Sequence, residues 1–145
     1  MKRETLFSSK SDDWRTPEAI FDKLNEEFRF TLDPCATSEN SQCIRYYTKE
    51  QDGLKQSWEG ETVFCNPPYS QINQWVKKAY EESFKPGTIV VLLIPARTDT
   101  KYFHDYILNR SEIRFLKGRL KFNNAKFNAP FPSMVVIFRA AGVDR

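Results

Sequence analysis

Residues 88–95 read TIVVLLIP, and the six consecutive apolar residues in it leave no alternation for a wet face. A strand with solvent on one side alternates apolar and polar side chains, whereas a strand buried on both faces does not. Such a run belongs inside a parallel sheet, which needs helices covering both faces. The flanking sequence supplies them. In INQWVKKAYEESF, residues 72–84, the side chains of Ile72, Trp75, Val76, Ala79, Tyr80 and Phe84 form one stripe, and Pro86-Gly87 ends the helix. In TPEAIFDKLNEEF, residues 16–28, Ala19, Ile20, Leu24 and Phe28 recur at near-helical spacing, with Thr16 expected as N-cap and Pro17 at the first helical position.

Further strands are predicted at FRFTLD (28–33), IRYYT (44–48), ETVFCN (61–66), SEIRFLKG (111–118) and PSMVVIFRA (132–140), and a further helix at TKYFHDYILN (100–109). Interleaved helices and strands over 145 residues predict one α/β domain. No run of about 18 apolar residues exists, so no membrane span is expected, and the start MKRETLFSSKSDDW lacks the apolar segment of a signal peptide. A cytoplasmic protein is the expectation. Three cysteines without a CxxC spacing argue against a disulfide framework or a structural zinc site. The single histidine, His104, argues against a multi-histidine metal centre and is expected to make only a local hydrogen bond.

The net charge of +3 is unevenly spread: residues 101–145 carry 9 Lys/Arg against 3 Asp/Glu. Arg114, Lys117, Arg119, Lys121 and Lys126 follow one another with no acid between them. A clustered positive face suits a polyanion, although a charge run is also compatible with an ordinary solvated surface.

In open α/β sheets, ligands bind beyond the carboxyl ends of the strands. The loops DPCA (33–36), NPPY (66–69) and PART (95–98) each follow a predicted strand, so they are expected along one rim. The chemistry of NPPY is specific. Asn66 offers a side-chain carbonyl acceptor, and Pro67 offers a backbone carbonyl aimed by a rigid ring. Two acceptors converging on one point suit an amine, and Tyr69 gives a flat face for a heterocycle. An exocyclic amine on an aromatic base fits this description.

NPPY resembles the catalytic motif of amino methyltransferases that use S-adenosylmethionine, in which Asp is the usual first residue and Asn an accepted variant. The wider chain is similar to the phage-type DNA N-6-adenine methyltransferase family. The resemblance is carried in order by DDWRTPEAIF, LDPCAT, YYTKEQDGL, FCNPPYS, QWVKKA, LLIPARTDTKYFH, FLKGRLKF and APFPSMVVIF, from about Trp14 to Phe138. It implies a Rossmann-like class I sheet, mostly parallel, with an antiparallel strand near the C-terminus and helices on both faces. Residues 14–145 would form the methyltransferase domain after a flexible segment 1–13. Asn66, Pro67, Pro68 and Tyr69 would be catalytic. Trp14, Thr16, Pro17, Asp33, Pro34, Cys35, Ala36 and Asp52 would contact S-adenosylmethionine, with no metal. DNA would be the partner, and Arg97, Lys117, Arg119, Lys121 and Lys126 would meet its phosphates. A bacterial cytoplasm, with a phage or prophage gene, is the implied setting.

One departure stands out. The first cofactor loop of such enzymes is usually glycine-rich, so that the backbone can approach the ligand. DPCATSEN contains no glycine, and Cys35, Ala36 and Ser38 are the small residues in its place. Rival readings keep the chemistry on another amine (cytosine N-4, RNA adenine or a glutamine amide), or keep only the fold as a DNA-binding module that has lost its cofactor.

Overall fold

The computed structural model of the chain describes residues 15–36, 41, 43–121 and 129–139. Six strands form one sheet: β1 (Leu32–Asp33), β2 (Arg45–Tyr46), β3 (Thr62–Cys65), β4 (Ile89–Pro95), β5 (Glu112–Phe115) and β6 (Ser133–Phe138). Their order across the sheet is β2-β1-β3-β4-β6-β5. Pairing is parallel from β2 through β4, and β6 runs antiparallel to both of its neighbours. This is the Rossmann-like, mostly parallel sheet with one reversed strand that the resemblance implied.

The run at 88–95 becomes β4, and its two faces feed two separate cores. Val90, Leu92 and Ile94 face one side with Val63, Cys65, Met134, Val136 and Phe138. Val91 and Leu93 face the other with Phe64, Val135 and Ile137. Each face is covered by a helix. Helix α1 (Glu18–Phe28) lays Phe21 and Leu24 on the second face, and α2 (Ile72–Glu82) lays Trp75, Val76 and Ala79 on the first. Burial of apolar surface at about 25 cal/mol per Å² is the main force holding the three layers together.

Several expected boundaries move. Helix α1 begins at Glu18 with Pro17 in the cap position, and no side chain caps it. Thr16 therefore does not cap; its hydroxyl goes elsewhere, as described below. The predicted strand at 28–33 shrinks to Leu32–Asp33, because only there does the chain run beside β2 and β3; Phe30 instead packs on Phe21 and Phe64. Phe84 lies beyond the end of α2 and is 45% exposed. The helix predicted at 100–109 is a short wide turn whose π-helical part spans Phe103–Ile107, burying Phe103 and Ile107. His104 makes the expected local contact, its Nε2 lying 2.8 Å from the Thr98 carbonyl oxygen.

Trp58 and Trp75 lie in the core as stacked rings 6.2 Å apart. Beside them Glu82 is 5% exposed, and its carboxylate accepts the Trp58 backbone N–H at 2.6 Å and pairs with Lys78 and Lys85. Burial alone would raise the Glu82 carboxyl, but the bonds from Lys85, the Trp58 N–H and Lys78 prevail and hold it below the ordinary value. A depressed folded-state pKa stabilises the fold above the unfolded value and loses that contribution as pH falls through the folded one. Glu82→Gln is therefore expected to cost about 1–3 kcal/mol at neutral pH. The gap to wild type, read from urea unfolding, should narrow as pH drops below the ordinary glutamate range.

Candidate active site

Chain order sets the site. From β1 the chain goes to β2 on one side of it, then returns to place β3 on the other side. Strand order thus reverses at the β1–β3 pair, and it is outside the carboxyl ends of the strands at such a switch point that open α/β sheets bind ligands. The loops there are Pro34–Ala36 after β1 and Asn66–Tyr69 after β3.

The first loop is closely held. The Asp33 carboxylate is buried and accepts the Cys35 backbone N–H at 3.2 Å, closing a short turn. Ala36 N–H donates to the Tyr47 carbonyl and Tyr47 N–H donates to the Asp33 carbonyl, both at 3.0 Å, so the loop is stitched to the end of β2. The DGL segment packs against it from outside. Asp52 takes a left-handed conformation (φ 57°) and accepts the Leu54 N–H. Gly53 then meets Pro34 so closely that a Cβ would sit 1.9 Å from the Pro34 carbonyl oxygen. The Gly53 carbonyl oxygen accepts the Trp58 indole N–H at 3.0 Å, which anchors the turn to the core. Gly53 thus lets this segment close on a loop that itself contains no glycine.

The second loop leaves β3 while β4 continues. Cys65 is paired with Leu92, but β4 runs on to Pro95 beside β6. Pro67 and Pro68 have no N–H to extend the ladder, so the chain turns away at this point. Four contacts fix the corner. The Asn66 amide Nδ2 donates to Thr16 Oγ1 at 3.0 Å. Cys35 Sγ lies 3.2 Å from Cys65 Sγ and 3.5 Å from the Asn66 carbonyl oxygen, tying the two loops together. Tyr69 sets its ring edge to face against Phe131, with centroids 5.3 Å apart.

The electrostatics are those of a dry corner. The Cys35 thiol is pushed well up, by its hydrogen bond with Cys65 and by burial; burial raises Cys65 also. Burial and the Asp33 charge push Cys43 up to about 12. All three thiols are free and stay protonated at neutral pH. Burial likewise raises the Tyr69 phenol, partly offset by the positive charge of Arg97 at the end of β4. The Tyr69 phenol therefore keeps its proton at neutral pH. Among the described residues no cluster of His, Cys, Asp and Glu could hold a metal ion.

Past the end of β5 and ahead of β6 the two segments keep running side by side. Leu116 N–H donates to the Ser133 carbonyl, and Ala129 N–H donates to the Leu120 carbonyl at 2.7 Å. One arm carries Phe131 against Tyr69; the other turns Leu116 and Leu120 inward and leaves Lys117, Arg119 and Lys121 exposed. None of these three cations, nor Arg97, forms an ion pair with a described residue. Arg114 differs from them. It grips both carboxylate oxygens of Glu27 at 2.7 and 2.8 Å and pairs with Glu112, so this member of the basic run is a structural tie between α1 and β5. Trp14 and Lys126 lie outside the described residues.

The family model for DNA N-6-adenine-methyltransferase (Dam) matches residues 3–142. The chain belongs to the Dam family. It is 30% identical over 146 residues to the DNA N-6-adenine-methyltransferase of Haemophilus phage HP1 (strain HP1c1), covering 95% of this chain and 84% of that protein. It is 32% identical over 111 residues to the DNA N-6-adenine-methyltransferase of Escherichia phage T1, covering 75% of this chain and 46% of that protein.

For this Dam family member, the structure adds two residues that sequence reasoning had not singled out. Phe131 lies in the APFPS stretch, which had signalled kinship without showing which side chain meets Tyr69. Gly53 reads as an ordinary turn glycine until Pro34 is seen against it. Because its backbone is not left-handed, space alone forbids a side chain there. Gly53→Ala is expected to destabilise the protein by about 1–3 kcal/mol through overpacking. Thermal unfolding of the two proteins checks this; Gly60→Ala is no steric control, since its own φ of 79° adds strain where nothing lies within 4 Å.

Proposed function

We propose that the chain transfers a methyl group from S-adenosylmethionine to the exocyclic N-6 amine of adenine in DNA, with residues 14–145 as the methyltransferase domain. Family membership supports the reaction class. The observation that carries the reading is the Asn66–Tyr69 corner, which leaves β3 at the switch point directly beside the Asp33–Ala36 loop.

The residues present fit the donor. Around these loops stand the buried Asp33 at the end of β1 and the partly buried apolar side chains of Cys35, Tyr47, Leu54 and Ile72, which pack against the core. This mixture suits a ligand with a charged end and a flat heterocyclic end. Asp33, Pro34, Cys35, Ala36 and Asp52 would hold it, with Pro17 and Trp14 from the segment ahead of α1. When bound, S-adenosylmethionine supplies a methyl group on a positively charged sulfur, an electrophile that requires placement and no metal.

The remaining work falls to the chain's own groups. The adenine amine is a weak nucleophile because its lone pair is delocalised into the ring. Asn66 Oδ1 and the Pro67 carbonyl accept its two hydrogens and favour a pyramidal nitrogen with a localised lone pair. Pro67 and Pro68 keep the two acceptors rigid, and Tyr69, braced by Phe131, stacks on the base. Positioning of this sort lowers barriers by several kcal/mol, on the order of 7–11 in the best-oriented cases. A base within a duplex cannot reach the corner, so it must swing out, at a cost of a few kcal/mol for unstacking. Arg97 at the rim and Lys117, Arg119 and Lys121 on the adjoining arm would hold the phosphates around it, with Lys126 further along the same segment.

Incubation with duplex DNA and methyl-labelled S-adenosylmethionine, followed by digestion to nucleosides, should place the label in N-6-methyladenine; label in cytosine would refute the assignment. Asn66→Ala should lower turnover at least ~100-fold with unchanged circular dichroism. Lys117→Ala combined with Lys121→Ala should weaken DNA binding across all sequences and reduce the salt slope by about 2, one phosphate contact contributing roughly 0.9. Arg114→Ala should leave that slope as it was, because its charge is already committed to Glu27 and Glu112.

A further inference from the structure

We propose that Thr16 is a positioning residue: its hydroxyl anchors the Asn66 amide and thereby fixes where that amide is presented to the reacting amine. The inference rests on the methyl-transfer reading above and deepens it, and it gives Thr16, for which the resemblance implied a cofactor contact, the Asn66 side chain as its working partner instead.

An asparagine amide has two unlike edges. The carbonyl oxygen accepts hydrogen bonds, and the NH2 group only donates. An adenine amine also presents donors, so it can be gripped by the oxygen edge alone; a half-turn of the amide would set donor against donor. The terminal torsion of asparagine is broad and roughly two-fold, so the side chain has no strong preference of its own. A neighbour must hold it. Thr16 Oγ1 accepts from Asn66 Nδ2 at 3.0 Å, with the carbonyl oxygen on the other side of the amide; a hydroxyl can also donate, so this bond anchors the side chain while the hydrogens of the amine itself select the oxygen edge.

A second observation points the same way. A threonine just ahead of a helix ordinarily lends its hydroxyl to the helix N-terminus. Here it does not. Helix α1 has no side-chain cap, and the Pro17 carbonyl oxygen takes the Ile20 and Phe21 N–H groups. The Thr16 hydroxyl instead reaches a residue 50 positions away in sequence. Pro17 restricts the backbone of the residue before it to extended conformations, which holds Thr16 in place. The start of α1 is thus coupled to the corner at the end of β3.

The test measures turnover, DNA binding and S-adenosylmethionine binding for full-length variants. Thr16→Val keeps the shape and removes the hydroxyl; Thr16→Ser keeps the hydroxyl. Thr16→Val should lower kcat roughly 10- to 100-fold, the range expected when a hydrogen bond to a working group is lost. Cofactor affinity by calorimetry and the melting temperature should stay near wild type, and Thr16→Ser should restore most of kcat. In an Asn66→Ala background there is no amide left to hold, so Thr16→Val should cost little more. Equal kcat losses in the two backgrounds, or a loss matched by weaker cofactor binding, would overturn the proposal and make Thr16 a structural or cofactor-contacting residue. Unchanged kcat in Thr16→Val would overturn it as well. Should Asn66→Ala turn over too slowly to measure, rescue by serine at constant cofactor affinity supports the proposal and absence of rescue overturns it. A wild-type protein that methylates no DNA would overturn the functional reading together with this one, whereas an active wild type with an indifferent Thr16→Val would overturn this one alone.

Discussion

A strand can pair only where its backbone has donors to offer, and β3 loses two in succession at Pro67 and Pro68. The chain must leave the sheet there, three residues before β4 ends at Pro95. Everything at the rim follows from that early exit. It opens space above β3, points Asn66 toward the start of α1, and puts Tyr69 against the arm that returns from β5 to β6. Had β3 continued as far as β4, the space beside the β1 loop would be filled by strand.

The corner is rigid because several independent elements brace it. The thiols of Cys35 and Cys65 meet across the β1–β3 pair; Gly53 closes the outer side of the β1 loop against Pro34; Phe131 supports Tyr69. Each brace is short in space and long in sequence. Rigidity of this kind is what the proposed methyl transfer would need from the protein, since catalysis would then depend on holding groups in line. The thiols contribute as small, neutral packing groups, in keeping with burial that disfavours their charged forms.

Much of this was legible in the sequence, for a physical reason. The apolar run of β4, the stripe of α2 and the paired prolines are local signals, written within a dozen residues. The reversed strand and the helices on both faces followed once the chain's likeness to a family was seen. The misreadings share a different origin. Thr16 has every local mark of a helix cap, and only a partner 50 residues away diverts it. Arg114 belongs by local pattern to a basic patch, yet Glu27, 87 residues earlier, neutralises it. Strands β1 and β2 hold two residues each, so pairing with neighbours defines them more than propensity does. The close approach of Gly53 to Pro34 joins segments far apart in sequence, so no local pattern announced it.

The central claim is spatial: the methyl donor and the amine meet at the carboxyl ends of β1 and β3. The most direct measurement is a crystal structure of the protein with S-adenosylhomocysteine, the donor stripped of its methyl group. The account predicts the ligand lying across the Asp33–Ala36 loop with its sulfur facing the Asn66–Tyr69 corner. A ligand seated at the amino ends of the strands, or on a surface remote from Asn66, would contradict it.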